Sequence, residues 1–197
     1  TKQGFFKKVV VDGKKKFLTI DFDTLEYTED EKPRFSVFEK TKAIDDLRQR
    51  MPVLLADKSK AGDFYRASFY ALFQFVSNRI PEISDEIYKV DDALNAGFGW
   101  KLGPFQTWDA VGVESNVKAM EEAGKKAAPW VYEMLAAGVS SFYKVEGGLK
   151  YFYDISSKAY KVVPGQSETL SLEVLRDTNV VWKNNDTTIF DLGDGVL

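Results

Sequence analysis

Two pairs of neighbouring carboxylates, Asp91 with Asp92 and Glu121 with Glu122, are the first candidates for chemistry. General acid–base work needs two carboxyls of different proton affinity within reach of one substrate. Both pairs fall in stretches with helical spacing, where adjacent residues point about 100° apart. Neither pair shares a proton through spacing alone, and a solvated face with one capping or interdomain contact is the expected use. Asp191 and Asp194, in Asp191-Leu192-Gly193-Asp194-Gly195, have two features of a calcium loop but lack its later ligands and its closing Glu, so a turn is expected. Gly97-Phe98-Gly99 leaves a helix instead of following a strand, and no third glycine stands at the offset of a dinucleotide fingerprint. Lys14-Lys15-Lys16 follows the turn signal Asp12-Gly13 and reads as a solvated hairpin tip. The aromatics Trp100, Phe105, Trp108, Trp130, Phe142, Tyr143, Tyr151 and Tyr153 could stack on a sugar or a base, but rings of this density more often anchor a core or an interface.

What is missing narrows the chemistry further. The 197 residues contain no His and no Cys. That excludes an internal Ser-His-Asp triad, a His general base, thiolate catalysis, disulfides and the usual zinc ligands. The net charge of −3 gives no global basic face for nucleic acid or an anionic membrane. No apolar run approaches the length of a membrane helix, and the N-terminus has neither an initiator Met nor a signal-peptide layout. Both ends are expected to continue in a longer chain, and the absence of cysteine fits a cytoplasmic one.

The elements that must position these residues fall into three zones. Residues 1–34 hold a hairpin: Phe5 to Val11 and Phe17 to Phe22 are strand-like about Asp12-Gly13, and Glu29 to Pro33 is a polar linker. Residues 35–143 read as helical. Ile44, Leu47, Met51 and Leu54 follow helical spacing, with Pro52 expected to kink or end that helix. Phe69, Leu72, Phe73, Val76 and Ile80 form a longer stripe closed by Pro81. Ser84 is the predicted N-cap of a helix that buries Ile87, Val90 and Leu94 and ends at Gly97. Pro104 starts a short helix in which Asp109 caps or pairs across the glycine loop. Further helices are predicted over 115–123, ended by Gly124, and from Pro129 to Gly138. Residues 144–197 are β-rich: Leu149 to Tyr153 and Tyr160 to Val163 form a hairpin, followed by strands at 170–175, 180–182 and 188–192, with a turn at Asn184-Asn185-Asp186.

The run from Asp92 to Gly112 resembles the C-terminal domain of 3-hydroxyacyl-CoA dehydrogenases, on Asp92, Ala93, Gly97, Gly103, Pro104, Phe105, Asp109 and Gly112. Ile44 to Arg48, Asn78 to Ile83, Pro129 to Leu135, Ser141-Phe142-Tyr143 and Glu146 to Asp154 extend the likeness. This longer set is similar to the bacterial subgroup in which the dehydrogenase is fused to a crotonase-type enoyl-CoA hydratase. Val181 to Leu197 resembles the opening strand of that hydratase, and Thr1 to Phe6 the end of a preceding helical copy.

The resemblance implies a parent enzyme of fatty-acid β-oxidation that oxidises 3-hydroxyacyl-CoA with NAD and hydrates enoyl-CoA. It also implies that this segment is non-catalytic, with no catalytic, cofactor or metal residue of its own. Asp92, Gly97, Gly103, Pro104, Phe105, Asp109 and Gly112 then serve the family fold and its domain contacts. Where catalytic copies carry Asn-Arg at a helix entry, the nearest match here is Tyr65-Arg66. Helical domains of the family pair, so the implied partners are other domains of the parent chain, its acyl-CoA substrate, and a second copy docked through the aromatic face of the Phe64 to Ile80 helix. The fold expected is α+β: a mainly helical domain flanked by an N-terminal β-hairpin and a C-terminal β-rich extension. A free-standing interaction module and a carbohydrate-binding module are the alternatives.

Overall fold

The computed structural model describes residues 4–29, 33–166, 175, 179–184 and 187–197. Residues 170–174 of the strand expected at 170–175 and the centre of the turn at 184–186 lie outside them, as do the first three residues and most of the linker at 29–33.

Residues 4–29 form an antiparallel meander of β1 (Phe6–Val11), β2 (Lys14–Ile20) and β3 (Tyr27–Glu29). Asp12 and Gly13 both take positive φ, the geometry a two-residue hairpin turn demands, so Val11 pairs with Lys14 and Phe6 with Thr19. The sequence reading missed β3. Three residues carry too little alternation to register, and Asp21, whose side chain accepts from the Asp23 and Thr24 N–H groups, makes the turn that returns the chain.

Seven helices follow among the described residues: α1 (Ser36–Thr41), α2 (Leu47–Ala56), α3 (Lys60–Asn78), α4 (Ile87–Phe98), α5 (Pro104–Val111), α6 (Val113–Glu122) and α7 (Pro129–Ala136). Asp46 caps α2 by accepting from Arg48 N. Pro52 neither ends nor interrupts α2, contrary to expectation. Met51, Leu54 and Leu55 on either side are buried, and that packing holds the helix past the missing N–H. Gly62 is obligatory, because a Cβ there would lie 1.9 Å from Asp57 O. The predicted stripe of α3 faces inward: Phe73, Val76 and Ile80 are buried and Phe69 and Leu72 pack against them. The stripe cannot also be a pairing surface. The outward side of α3 carries Phe64, Ala71 and Phe75 instead.

A second meander, β4 (Tyr143–Glu146), β5 (Leu149–Asp154) and β6 (Ala159–Val162), closes the helical body. Phe142, Phe152 and Tyr153 are buried in the same core as Phe73 and Trp108. Trp108 stacks on Phe73 at 4.6 Å, and Phe142 meets Phe105, Trp108 and Trp130 at 5.1–5.7 Å between ring centres. The aromatics Phe105, Trp108, Phe142 and Tyr153 are therefore core, out of reach of a sugar. A small hairpin, β7 (Val180–Lys183) with β8 (Thr188–Phe190), comes last. The fold is α+β.

Candidate functional site

The residues singled out between 91 and 112 meet at one junction, where α4, α5 and β4 come together. It is built around the start of α5. The first N–H groups of a helix have no partner within it, and a side chain at the N-cap normally supplies one. Here the N-cap is Gly103, which has no side chain, and N1 is Pro104, which has no N–H. Asp91, from α4, supplies the missing acceptor. Its Oδ1 accepts from Phe105 N at 2.9 Å and its Oδ2 from Gln106 N at 3.0 Å. The Gln106 side chain turns back to accept from Gly103 N at 2.9 Å. Glycine at 103 is dictated by contact, since a Cβ there would sit 2.4 Å from the Asp91 side chain.

The same helix then grips β4. Asp109 Oδ1 accepts from Phe142 N at 2.7 Å, and Oδ2 from Tyr143 N at 2.8 Å. Tyr143 closes the loop by donating its hydroxyl to Asp91 Oδ2 at 2.8 Å. Two buried carboxylates thus receive five donors from α5 and β4, and Tyr143 touches both. Burial raises the Asp91 pKa to about 6 against the pull of the Phe105, Tyr143 and Gln106 donors. Burial raises Asp109 to about 7, with the charge of Asp91 adding to it. Burial also lifts the Tyr143 hydroxyl well above its usual range, with the Asp91 charge next, so it stays a donor.

Of the residues named from sequence, Gly103, Pro104, Phe105 and Asp109 come together here, and Gly112, at φ 89°, joins α5 to α6. Asp109 pairs with the strand and not across the glycine loop. Asp92 is exposed one residue from the junction, and the carboxylate inside it is Asp91. Asp91 lies four residues after the buried Ile87, within the apolar stripe of α4, and a charged group in such a stripe is the signal that finds it. Gly97 lies within α4. The helix runs one turn's fraction further, and Gly99 takes the left-handed conformation that ends it. Ser84 is not the cap either: its hydroxyl accepts from Glu86 N, and the helix begins at Ile87. Arg66 is occupied structurally, donating to the carbonyls of Leu55 and Asp57 at the end of α2, and Tyr65 stacks on Phe69.

A nucleotide does not fit these glycines. Gly97 and Gly99 stand at the C-terminal end of α4, where carbonyls and not N–H groups point outward. No cluster of three or more metal-ligating side chains occurs among the described residues, nor is any described helix long and apolar enough to cross a membrane.

Known proteins are similar to the chain across this region. Residues 71–151, from the middle of α3 into β5, match the family model of the 3-hydroxyacyl-CoA dehydrogenase C-terminal domain. Over 195 residues, 98% of the chain, it is 32% identical to a Bacillus subtilis (strain 168) protein described as a 3-hydroxyacyl-CoA dehydrogenase. Relatives from Rickettsia felis and Rickettsia prowazekii, both described as fatty acid oxidation complex trifunctional enzymes, are 26% and 24% identical over 103 residues, 52% of the chain. The chain spans 24% of the length of the Bacillus relative and 13% of each Rickettsia one. No solved structure matches it.

Proposed function

We propose that this chain is a non-catalytic structural and interdomain segment of a longer fatty-acid β-oxidation enzyme. The parent would oxidise 3-hydroxyacyl-CoA with NAD and hydrate enoyl-CoA, in the cytoplasm. The observation that carries this reading is the use of Asp91 and Asp109. They are the carboxylates with the proton affinities an acid–base pair would need, yet backbone N–H groups and one tyrosine occupy them, inside the core. Such groups hold elements together and present nothing to a substrate. The similarity to 3-hydroxyacyl-CoA dehydrogenases and to trifunctional oxidation enzymes supports the choice of parent. NAD would be held by a nucleotide-binding domain preceding residue 1, and the hydratase would follow residue 197.

In this reading the outward stripe of α3, Phe64, Ala71 and Phe75, faces another helical copy. An open cavity of about 490 Å³ beside it, lined in part by Phe75, Asn78, Arg79 and Lys126, would receive part of that copy. The assay is direct: the 197-residue chain is expected to produce no NADH from 3-hydroxybutyryl-CoA and NAD. NADH production by the 197-residue chain would sink the reading. Flanking coding sequence for a nucleotide-binding domain upstream and a hydratase downstream would establish the parent.

A further inference from the structure

We propose that one face of the N-terminal meander docks on an anionic lipid bilayer. This goes beyond the interdomain role and rests on how the sheet sorts its side chains. Alternation along the strands puts Phe6, Lys8 and Val10 of β1 on one face with Lys15, Phe17 and Thr19 of β2. Lys8 stands opposite Phe17, and Val10 opposite Lys15. Phe6, Val10 and Phe17 are 67%, 66% and 64% exposed. No carboxylate lies on this face within the strands. No side-chain hydrogen bond or ion pair among the described residues engages Lys8 or Lys15.

On the opposite face, which carries Lys7, Lys14 and Lys16, two of the three lysines are engaged. Lys16 pairs with Glu29 at 2.6 Å, and Lys7 lies over the Tyr27 ring at 5.4 Å. Leu18, Ile20 and Tyr27 there are half-buried. The acidic residues of this unit beyond the strands gather at the β2–β3 turn, as Asp21, Asp23 and Glu26, with Asp12 at the hairpin tip. Between residues 4 and 20 there are five lysines and one aspartate, in a chain whose net charge is −3. The positive charge is local, and half of what faces outward on the sheet is apolar.

The alternating arrangement selects the occupant. Protein interfaces have dry, contiguous cores from which lysine is depleted, and here each apolar residue has a lysine or threonine across from it. Stacking on bases would use the two phenylalanines and gain nothing from Val10. At a bilayer surface both kinds of group are satisfied together. Rings and the valine enter the headgroup–acyl boundary while the ammonium groups reach back to lipid phosphates and carboxylates.

The test is sedimentation of the 197-residue chain with phosphatidylcholine vesicles, with and without added phosphatidylserine. Binding is expected only with phosphatidylserine and should weaken as salt rises. A Lys8→Glu, Lys15→Glu variant should lose roughly 10-fold or more of the partitioning, and Phe17→Ser roughly 10-fold, with circular dichroism unchanged. Lys58→Glu with Lys101→Glu, an equal charge change at exposed positions of the helical body, should leave binding within about 3-fold, as salt screening predicts for distant charges. Absence of binding at low salt, equal losses from both charge variants, or full binding by Phe17→Ser would each overturn the proposal.

Discussion

The junction of α4, α5 and β4 and the N-terminal meander draw on the same residue types, aromatics and charges, and use them in opposite ways. At the junction Phe105, Trp108 and Phe142 are fully buried, and two carboxylates are buried with them because five donors meet them there. In the meander Phe6 and Phe17 are exposed, and the ion pair present, Lys16 with Glu29, lies at the surface. A buried charge with hydrogen-bonded partners specifies geometry and is expensive to disturb, whereas an exposed pair is worth at most about 1 kcal/mol. The difference teaches where this chain stores its stability and where it leaves surface for something else.

Breaking the junction should have the largest effect. Asp109→Ala leaves the Phe142 and Tyr143 N–H groups buried without acceptors and is expected to cost about 3–5 kcal/mol, read as a shift of the urea midpoint. Gly103→Ala pushes a methyl against Asp91 and should cost about 2–3 kcal/mol in the same measurement. Tyr143→Phe removes a single hydroxyl bond to a carboxylate, for about 1–2 kcal/mol. Phe17→Ser, in the meander, should stay within about 0.5 kcal/mol. A meander variant as costly as a junction variant would erase the distinction drawn above.

Acidity sharpens the same contrast. Asp91 and Asp109 hold their protons in the folded chain up to about pH 6 and about pH 7, while in the unfolded chain they would release them near the ordinary aspartate value of 3.8. The folded state therefore binds more protons between about pH 4 and pH 7, and its stability should fall as pH rises through 6 and 7. Asp154 works the other way. Burial alone would raise it, but the Lys161 ammonium and the Ser157 and Ser156 bonds outweigh burial and hold it low, so its contribution is lost in acid. Thermal melts from pH 5 to pH 8 should show the decline, and Asp109→Ala should flatten it. A melting temperature that rises over that range would contradict the assignment.

Much of the architecture was legible in the sequence because its signals are local. The Asp12-Gly13 hairpin, the stripe of α3, Pro129 at the start of α7 and the Leu149 to Val163 hairpin are written in neighbouring residues. The junction was legible only in part. Gly103, Pro104, Phe105 and Asp109 stand out by type, but the role of Asp91 depends on a helix start whose N–H groups lie 14 and 15 residues away, and that of Tyr143 on a strand more than thirty residues beyond Asp109. Neither distance has a period. The end of α4 was misplaced because Gly97 and Gly99 are equally good terminators by type, and the left-handed conformation falls on the second. The passage of α2 through Pro52 was decided by burial of Met51, Leu54 and Leu55, a tertiary effect overriding a local one.

The cap that Asp91 lends to α5 bears on the order of assembly. A helix of eight residues is too short to persist alone, and α5 cannot itself supply acceptors for the Phe105 and Gln106 N–H groups, because Gly103 offers no side chain. It can start only once α4 has arrived, and β4 can be gripped only once α5 is in place. The amide hydrogens of Phe105, Gln106, Phe142 and Tyr143 should then exchange with solvent as one cooperative group, opening and closing together although they lie on two elements.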